Sequence, residues 1–176
     1  MRPHQTLILG GVRSGKSRLA ERLACVSGLP VTYVATATAG DAEMTARIAA
    51  HREQRSRQWR LVEEPIRLAA ALQAHAAAGR CLLVDCLTLW LTNLLIANDE
   101  ALFERERDAL LQTLPSLPGQ LILVSNETNM GIIPLGELSR RYSDEAGRLH
   151  QALAQICDRV VLTVAGLPHI LKGDPL

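Results

Sequence analysis

Aromatic side chains are scarce in this sequence: Phe, Trp and Tyr together make up 3% of the chain. So few rings offer no stacking platform for bases, which argues against a single-strand nucleic-acid binder. An excess of one charge is also lacking. The formal net charge is +1, without the basic stripe or high isoelectric point of a typical nucleic-acid-binding domain. Cysteine is sparse and unpaired in pattern. Cys25, Cys81, Cys86 and Cys157 form no C-x-x-C pair, so neither a zinc ribbon nor a redox motif is indicated. Cys81 and Cys86 lie in apolar surroundings and read as buried thiols. Long hydrophobic runs are missing too. The longest, Cys86 to Ala97, is interrupted by Thr88, Thr92 and Asn93 and is too short and polar to span a bilayer. The N-terminus carries no charged-then-apolar signal pattern. These absences together lead us to expect a cytoplasmic protein with no transmembrane segment and no nucleic-acid partner.

What is present is an alternation. Short runs rich in Val, Ile and Leu recur at Thr6–Leu9, Val31–Ala35, Cys81–Val84, Leu121–Val124 and Val160–Val164. Each reads as a strand buried on both faces. Between them lie segments of helical character: Ser17–Val26, Asp41–Arg57, Ile66–Ala78, Thr88–Ile96, Ala101–Leu114 and Leu138–Cys157. Gly79 is placed to cap the third of these, and Gly147 to interrupt the last. Thr88–Ile96 is apolar almost all round, which suits either the core or a subunit interface. The pattern predicts an α/β fold with a mostly parallel sheet and helices on both faces. At 176 residues, with no repeat or dividing linker, residues 1–176 are expected to form one nucleotide-binding catalytic domain.

The first strand runs into Gly10-Gly11-Val12-Arg13-Ser14-Gly15-Lys16-Ser17, which fits G-x-x-x-x-G-K-[ST] with a strand before it and a helix after. The spacing has a physical purpose. Glycines let the loop curl so that successive N–H groups face phosphate oxygens, and the following helix adds its positive end. Lys16 is placed to reach the β- and γ-phosphates of ATP or GTP, and the Ser17 hydroxyl to ligate Mg2+. With glycine near 7% of residues in general, a chance match is on the order of one in a hundred or less. A Mg2+ site needs an acidic partner. Asp85 follows Cys81-Leu82-Leu83-Val84 as the acidic residue of a Walker B strand does. A helix N-cap is the competing reading, and the P-loop favours the metal.

The Asp41–Arg57 segment is less ordinary. On a helix, Arg47, His51 and Arg55 fall at i, i+4 and i+8 on one face, with Arg52 adjacent. Neighbouring cations disfavour imidazolium. A neutral imidazole is a nucleophile, and arginines grip phosphate with two-pronged geometry. This face suits attack by His51 on a nucleotide phosphorus, although a solvated charged helix with an incidental histidine has the same pattern. His4, His75, His150 and His169 have no comparable cationic setting.

An ordered set of motifs extends over nearly the whole chain. It comprises L-I-L-G-G-V-R-S-G-K-S-R (Leu7–Arg18), Y-V-A-T-A (Tyr33–Ala37), E-M-T-A-R-I-A-A-H-R (Glu43–Arg52) and W-R-L-V-E-E-P (Trp59–Pro65). It continues with D-C-L-T-L-W-L-T-N-L-L (Asp85–Leu95), V-S-N-E-T-N-M-G-I-I-P (Val124–Pro134), R-R-Y-S-D-E-A-G (Arg140–Gly147) and V-A-G-L-P (Val164–Pro168). The set resembles the bifunctional adenosylcobinamide kinase / adenosylcobinamide-phosphate guanylyltransferase family of cobalamin biosynthesis. The resemblance implies a RecA-like three-layer P-loop fold and a homo-oligomer, a trimer in at least one form. It implies that ATP or GTP phosphorylates adenosylcobinamide. GTP then guanylylates a histidine, and GMP passes from it to adenosylcobinamide phosphate, giving adenosylcobinamide-GDP and pyrophosphate. By motif, the guanylylated residue falls on His51. The further nucleotide contacts fall on Ala35, Thr36, Ala37, Arg52, Glu53, Gln54, Arg55, Glu63 and Asp85.

Two positions depart from the family pattern. Asn129 stands where the family often has glycine, and Asn tolerates a left-handed backbone. His150 stands where the late helix often has asparagine. Asn126 and Glu127 end a strand near the expected site and read as functional without an assigned role; Arg140, Arg141 and Asp144 suit either substrate phosphate or a surface ion pair. Two further readings of the P-loop stay open on the residues alone: a small-molecule kinase with an inert His51, and a nucleotide-dependent switch ATPase or GTPase.

Overall fold

The computed structural model describes residues 4–38, 40 and 58–176. Its strands are β1 (His4–Gly10), β2 (Val31–Ala35), β3 (Arg60–Glu63), β4 (Cys81–Asp85), β5 (Gln120–Asn126), β6 (Arg159–Val164) and β7 (Leu167–Lys172). They form one sheet in the order β3-β2-β4-β5-β1-β6-β7. All neighbours are parallel except β6 and β7. The described helices are α1 (Lys16–Val26), α2 (Leu68–His75), α3 (Leu87–Ile96), α4 (Glu100–Thr113) and α5 (Glu137–Ile156). The expected Asp41–Arg57 helix lies outside the described residues.

The central strands read as unbroken apolar runs because both faces are covered. Side chains alternate across the sheet. Leu7, Leu9, Leu82, Val84, Leu121 and Leu123 join one core with Leu72 of α2, Trp90 and Leu94 of α3, Phe103 of α4 and Leu149 of α5. Ile8, Leu83, Ile122 and Val124 join a second core on the opposite face with Leu19, Ala20 and Ala24 of α1. Each buried leucine contributes about 1.5–3 kcal/mol of transfer free energy. The all-apolar α3 belongs to the first core: Leu87, Trp90, Leu91, Leu94 and Leu95 are buried, and Trp90 Nε1–H donates to the Ile66 carbonyl at 2.8 Å.

Several expectations are corrected. β3 was missed because Arg60-Leu61-Val62-Glu63 is a four-residue edge strand with no apolar run. β7 is exposed along its whole length, and Pro168 obscures its strand character, a residue that edge strands tolerate. Gly79 does not cap α2. That helix ends at Ala76, whose backbone is extended, and Gly79 (φ 77°) serves the turn into β4. Gly147 does not interrupt α5, which is continuous for 20 residues. A side chain at Gly147 would meet Asn129 Nδ2 at 3.3 Å, so its bareness admits the loop that follows β5.

Candidate nucleotide site

The C-terminal ends of the six parallel strands form one edge, and the candidate site is built along it. The strand register sets Gly10 opposite Asn126, Asp85 opposite Val124, and Ala35 between Asp85 and Glu63. P-loop folds bind ligands at such an edge because the strands point their ends, and the following helices their N-termini, at the same crevice.

The cradle itself is tightly constrained. At Gly10 a Cβ would meet Ser14 Oγ at 2.4 Å and the Thr163 carbonyl at 2.6 Å. Gly15 caps α1 in a left-handed conformation (φ 95°), and a Cβ there would stand 3.1 Å from Gly166 Cα. That second glycine belongs to the β6–β7 hairpin. Ala165 (φ 51°) and Gly166 (φ 80°) form its two-residue turn, the left-handed pairing that antiparallel hairpins prefer. The Gly166 N–H donates to the Ser14 carbonyl at 2.8 Å, so the hairpin tip braces the loop from behind. The brace was not legible in the sequence, where V-A-G-L-P carried only a resemblance.

Lys16 and Ser17 open α1, where the helix contributes roughly half a positive charge. Lys16 Nζ donates to the Gly11 carbonyl at 3.1 Å. Burial pulls its ammonium down from its ordinary value, and the nearby Asp85 carboxylate opposes that shift. Asp85 is thus within electrostatic reach of the P-loop lysine. It does not cap α3: the N-cap is Cys86, with no side-chain bond to the helix. Instead Asp85 Oδ2 accepts from the Tyr33 hydroxyl at 3.1 Å. Tyr33 is buried and stacks on Trp59, ring centroids 6.4 Å apart. Burial pushes the Cys86 thiol up to about 11, so it stays protonated beside the site.

Ala35, Thr36 and Ala37 follow at the end of β2. The Thr36 hydroxyl is committed to the fold: it donates to the Cys86 carbonyl at 2.6 Å and accepts the Cys86 N–H at 3.1 Å. Asn93 fixes the same turn by donating to the Thr36 and Pro65 carbonyls. Glu63 closes the row at the end of β3. The structure therefore brings Gly10, Gly11, Val12, Arg13, Ser14, Gly15, Lys16, Ser17, Ala35, Thr36, Ala37, Glu63 and Asp85 to one edge. His51, Arg52, Glu53, Gln54 and Arg55 lie outside the described residues.

The β5 end holds groups that sequence reasoning undervalued. His150 of α5 is buried, and its Nε2 lies 2.8 Å from Ser125 Oγ. Its Nδ1 stands 3.6 Å from Glu127 Oε2. Burial lowers its proton affinity below the ordinary value, partly offset by Glu127. The signal missed was the spacing of His150 along α5 with the buried Ala146, Leu149 and Leu153. Asn129 is not in the left-handed region; its side chain donates to the Ser143 carbonyl at 3.0 Å instead. Of the late arginines, Arg141 pairs with Glu100 and sits over the Phe103 ring. Arg140 donates to the Leu135 carbonyl.

This fold and cradle define a P-loop protein with a RecA-like, mostly parallel α/β fold. Among solved structures, the chain is similar to the RadB recombinase, with 18% identity, a TM-score of 0.53, and coverage of 90% of this chain and 73% of that one. It is also similar to an ATPase of the type III secretion system of pathogenic bacteria, at 9% identity and TM-score 0.53, covering 90% and 50% of the two chains. Residues 6–171 match the family described as cobinamide kinase / cobinamide phosphate guanyltransferase, and the chain belongs to that family. It is 67% identical over 170 residues to the bifunctional adenosylcobalamin biosynthesis protein CobP of Pseudomonas aeruginosa, covering 97% of this chain and 98% of the relative. It is 39% identical over 175 residues to CobU of Salmonella typhimurium, covering 92% and 96%. The protein is a bifunctional enzyme of adenosylcobalamin biosynthesis, a cobinamide kinase and cobinamide phosphate guanylyltransferase.

Proposed function

We propose that one P-loop site serves two transfers: the γ-phosphoryl group goes to the alcohol of adenosylcobinamide, and the GMP moiety of GTP goes first to His51. The observation carrying this reading is the row of Lys16, Ser17 and Asp85 beside a cradle braced by Gly166. In the first transfer the substrate hydroxyl oxygen attacks the γ-phosphorus of ATP or GTP, and the bond to the β–γ bridging oxygen breaks. Lys16 and the loop N–H groups hold the charge that spreads over the phosphate oxygens. In the second, a ring nitrogen of His51 attacks the α-phosphorus of GTP and pyrophosphate leaves. A phosphate oxygen of adenosylcobinamide phosphate then displaces the histidine and gives adenosylcobinamide-GDP. A phosphoramidate keeps the transfer potential that this second displacement needs. Arg52, Glu53, Gln54, Arg55, Glu63, Ala35, Thr36 and Ala37 complete the nucleotide contacts in this reading.

Mg2+ fits the donors present. The described residues contain no group of three or more His, Cys, Asp or Glu side chains that could hold a metal by themselves. Mg2+ is ordinarily held by one or two protein oxygens together with substrate phosphates and water. Ser17 and Asp85 would hold it, and it would neutralise charge on the phosphate oxygens.

One catalytic domain and a homo-oligomer, possible as a trimer, complete the reading. Ile132 and Leu135, each 97% exposed, support association, because apolar patches of this kind mark contact surfaces. Light scattering tests it. No helix among the described residues is long and apolar enough to cross a membrane; a cytoplasmic location is part of the proposed reading.

The central test uses Mg2+ and GTP labelled at the α-phosphate. Acid-labile, base-stable label should appear on the chain and disappear in His51→Ala. Kinase activity should survive that substitution. An unlabelled wild-type chain would sink the histidine intermediate, and label persisting in His51→Ala would move the nucleophile elsewhere.

A further inference from the structure

We propose that Glu127 is the general base that takes the proton from the cobinamide alcohol in the kinase step, and that His150 is the positioning residue behind it. The inference rests on the P-loop kinase reading above and adds a residue to it.

The strand order carries the argument. β5 lies between β1, which bears the P-loop, and β4, which bears Asp85. Its last residue, Asn126, is opposite Gly10, and the next N–H, that of Glu127, donates to the Gly10 carbonyl at 3.0 Å. Glu127 therefore leaves the sheet between the phosphate cradle and the Asp85 strand, beside the loop that would hold the nucleotide phosphates. The polar capacity here exceeds what the fold uses. Asn126 Oδ1 and His150 Nδ1 are both buried without a hydrogen-bond partner among the described residues. Such orphaned atoms are uncommon and ask for an explanation.

The Glu127 carboxylate forms no ion pair with Lys or Arg among the described residues. Oε1 accepts the Asn129 N–H at 2.8 Å, while Oε2 faces His150 Nδ1 at 3.6 Å. The geometry suits an imidazole with its proton on Nε2, donating to Ser125 Oγ. Nδ1 then presents a lone pair to the carboxylate oxygen, two acceptors held just beyond hydrogen-bond distance. One proton on Oε2 satisfies both atoms. The step balances as follows: the alcohol O–H bond breaks and its proton passes to Oε2, shared with Nδ1. The oxygen bonds to the γ-phosphorus, and the nucleoside diphosphate leaves with the bridging-bond electrons. Burial, which disfavours imidazolium, keeps His150 neutral and able to accept. The other titratable group acting on this carboxylate's surroundings is Tyr142 on α5, with Cys86 facing that tyrosine.

Glu127→Gln keeps an acceptor for the Asn129 N–H and removes the base. Phosphorylation of adenosylcobinamide, followed with γ-labelled ATP and GTP, should lose about 10²- to 10³-fold in kcat, within the range for positioned acid–base groups. KM should stay within about twofold, since binding is untouched. Self-guanylylation from α-labelled GTP should proceed at the wild-type rate, because that attack needs no proton taken from an alcohol. His150→Asn should cost less than about tenfold in kcat of the kinase step, with KM within about twofold and self-guanylylation unchanged. Unchanged kinase turnover in Glu127→Gln overturns the proposal. So does an equal loss in both half-reactions, which marks a structural role, or a kinase kcat unchanged by His150→Asn. Failure of the underlying reading looks different: the wild-type enzyme itself would not phosphorylate adenosylcobinamide, or Lys16→Ala would do so equally well.

Discussion

Asp85 and Glu127 stand at the ends of adjacent strands with opposite surroundings. Asp85 accepts from a buried phenol and shares its space with the Lys16 ammonium. Glu127 accepts one backbone N–H and faces a buried imidazole that disfavours charge. A carboxylate fixed by a phenol donor and set near an ammonium suits contact with a metal and phosphates. A carboxylate oxygen 3.6 Å from an imidazole nitrogen leaves two acceptors facing each other, a place where one proton can be held. The same functional group, one strand apart, is thereby fitted to two different tasks.

The largest test of this contrast is Asp85→Asn. If Asp85 serves the phosphates common to both transfers, phosphorylation and self-guanylylation should both fall, by about 10²- to 10³-fold as for loss of a charge-stabilising group. Parallel rate measurements check it, and a loss confined to one transfer would break the comparison. Gly15→Ala comes next. Its left-handed angle and the 3.1 Å approach to Gly166 should cost about 1–2 kcal/mol, read as a lower urea midpoint and weaker nucleotide binding in both half-reactions.

Tyr33→Phe removes the hydroxyl that orients Asp85 and should cost about 0.5–1.5 kcal/mol. It should raise the Mg2+ concentration needed for half-maximal turnover more than it changes the pH profile. The smallest effect concerns stability. Burial lowers the proton affinity of His150 in the fold, so the unfolded chain binds that proton more readily. Stability should be intact above pH 6.5, the ordinary histidine value, and decline as pH falls below it. Urea midpoints from pH 7.5 to 5.5 should show a shallower acid decline in His150→Asn.

Legibility in the sequence followed the range of the interactions. The five central strands were readable because burial on both faces leaves a continuous apolar run. β3 and β7 were not, because edge strands need only alternate or short patterns. Asp85 was found as the residue ending such a run, but its Tyr33 partner, 52 positions away, left no local trace. His150 was passed over because a helix position announces its face and not its neighbours, and Ser125 and Glu127 come from another element.

By itself, the sequence determined the phosphate cradle, the parallel α/β layering and the family, because glycine spacing, apolar runs and motif order are local properties written residue by residue. Only the tertiary structure decided that a β6–β7 hairpin braces the P-loop, that α3 belongs to the core, and that β5 brings Glu127 and His150 beside Gly10. Those facts depend on strand order and helix docking, where through-space neighbours are set by packing the whole sheet and not by any short stretch of chain.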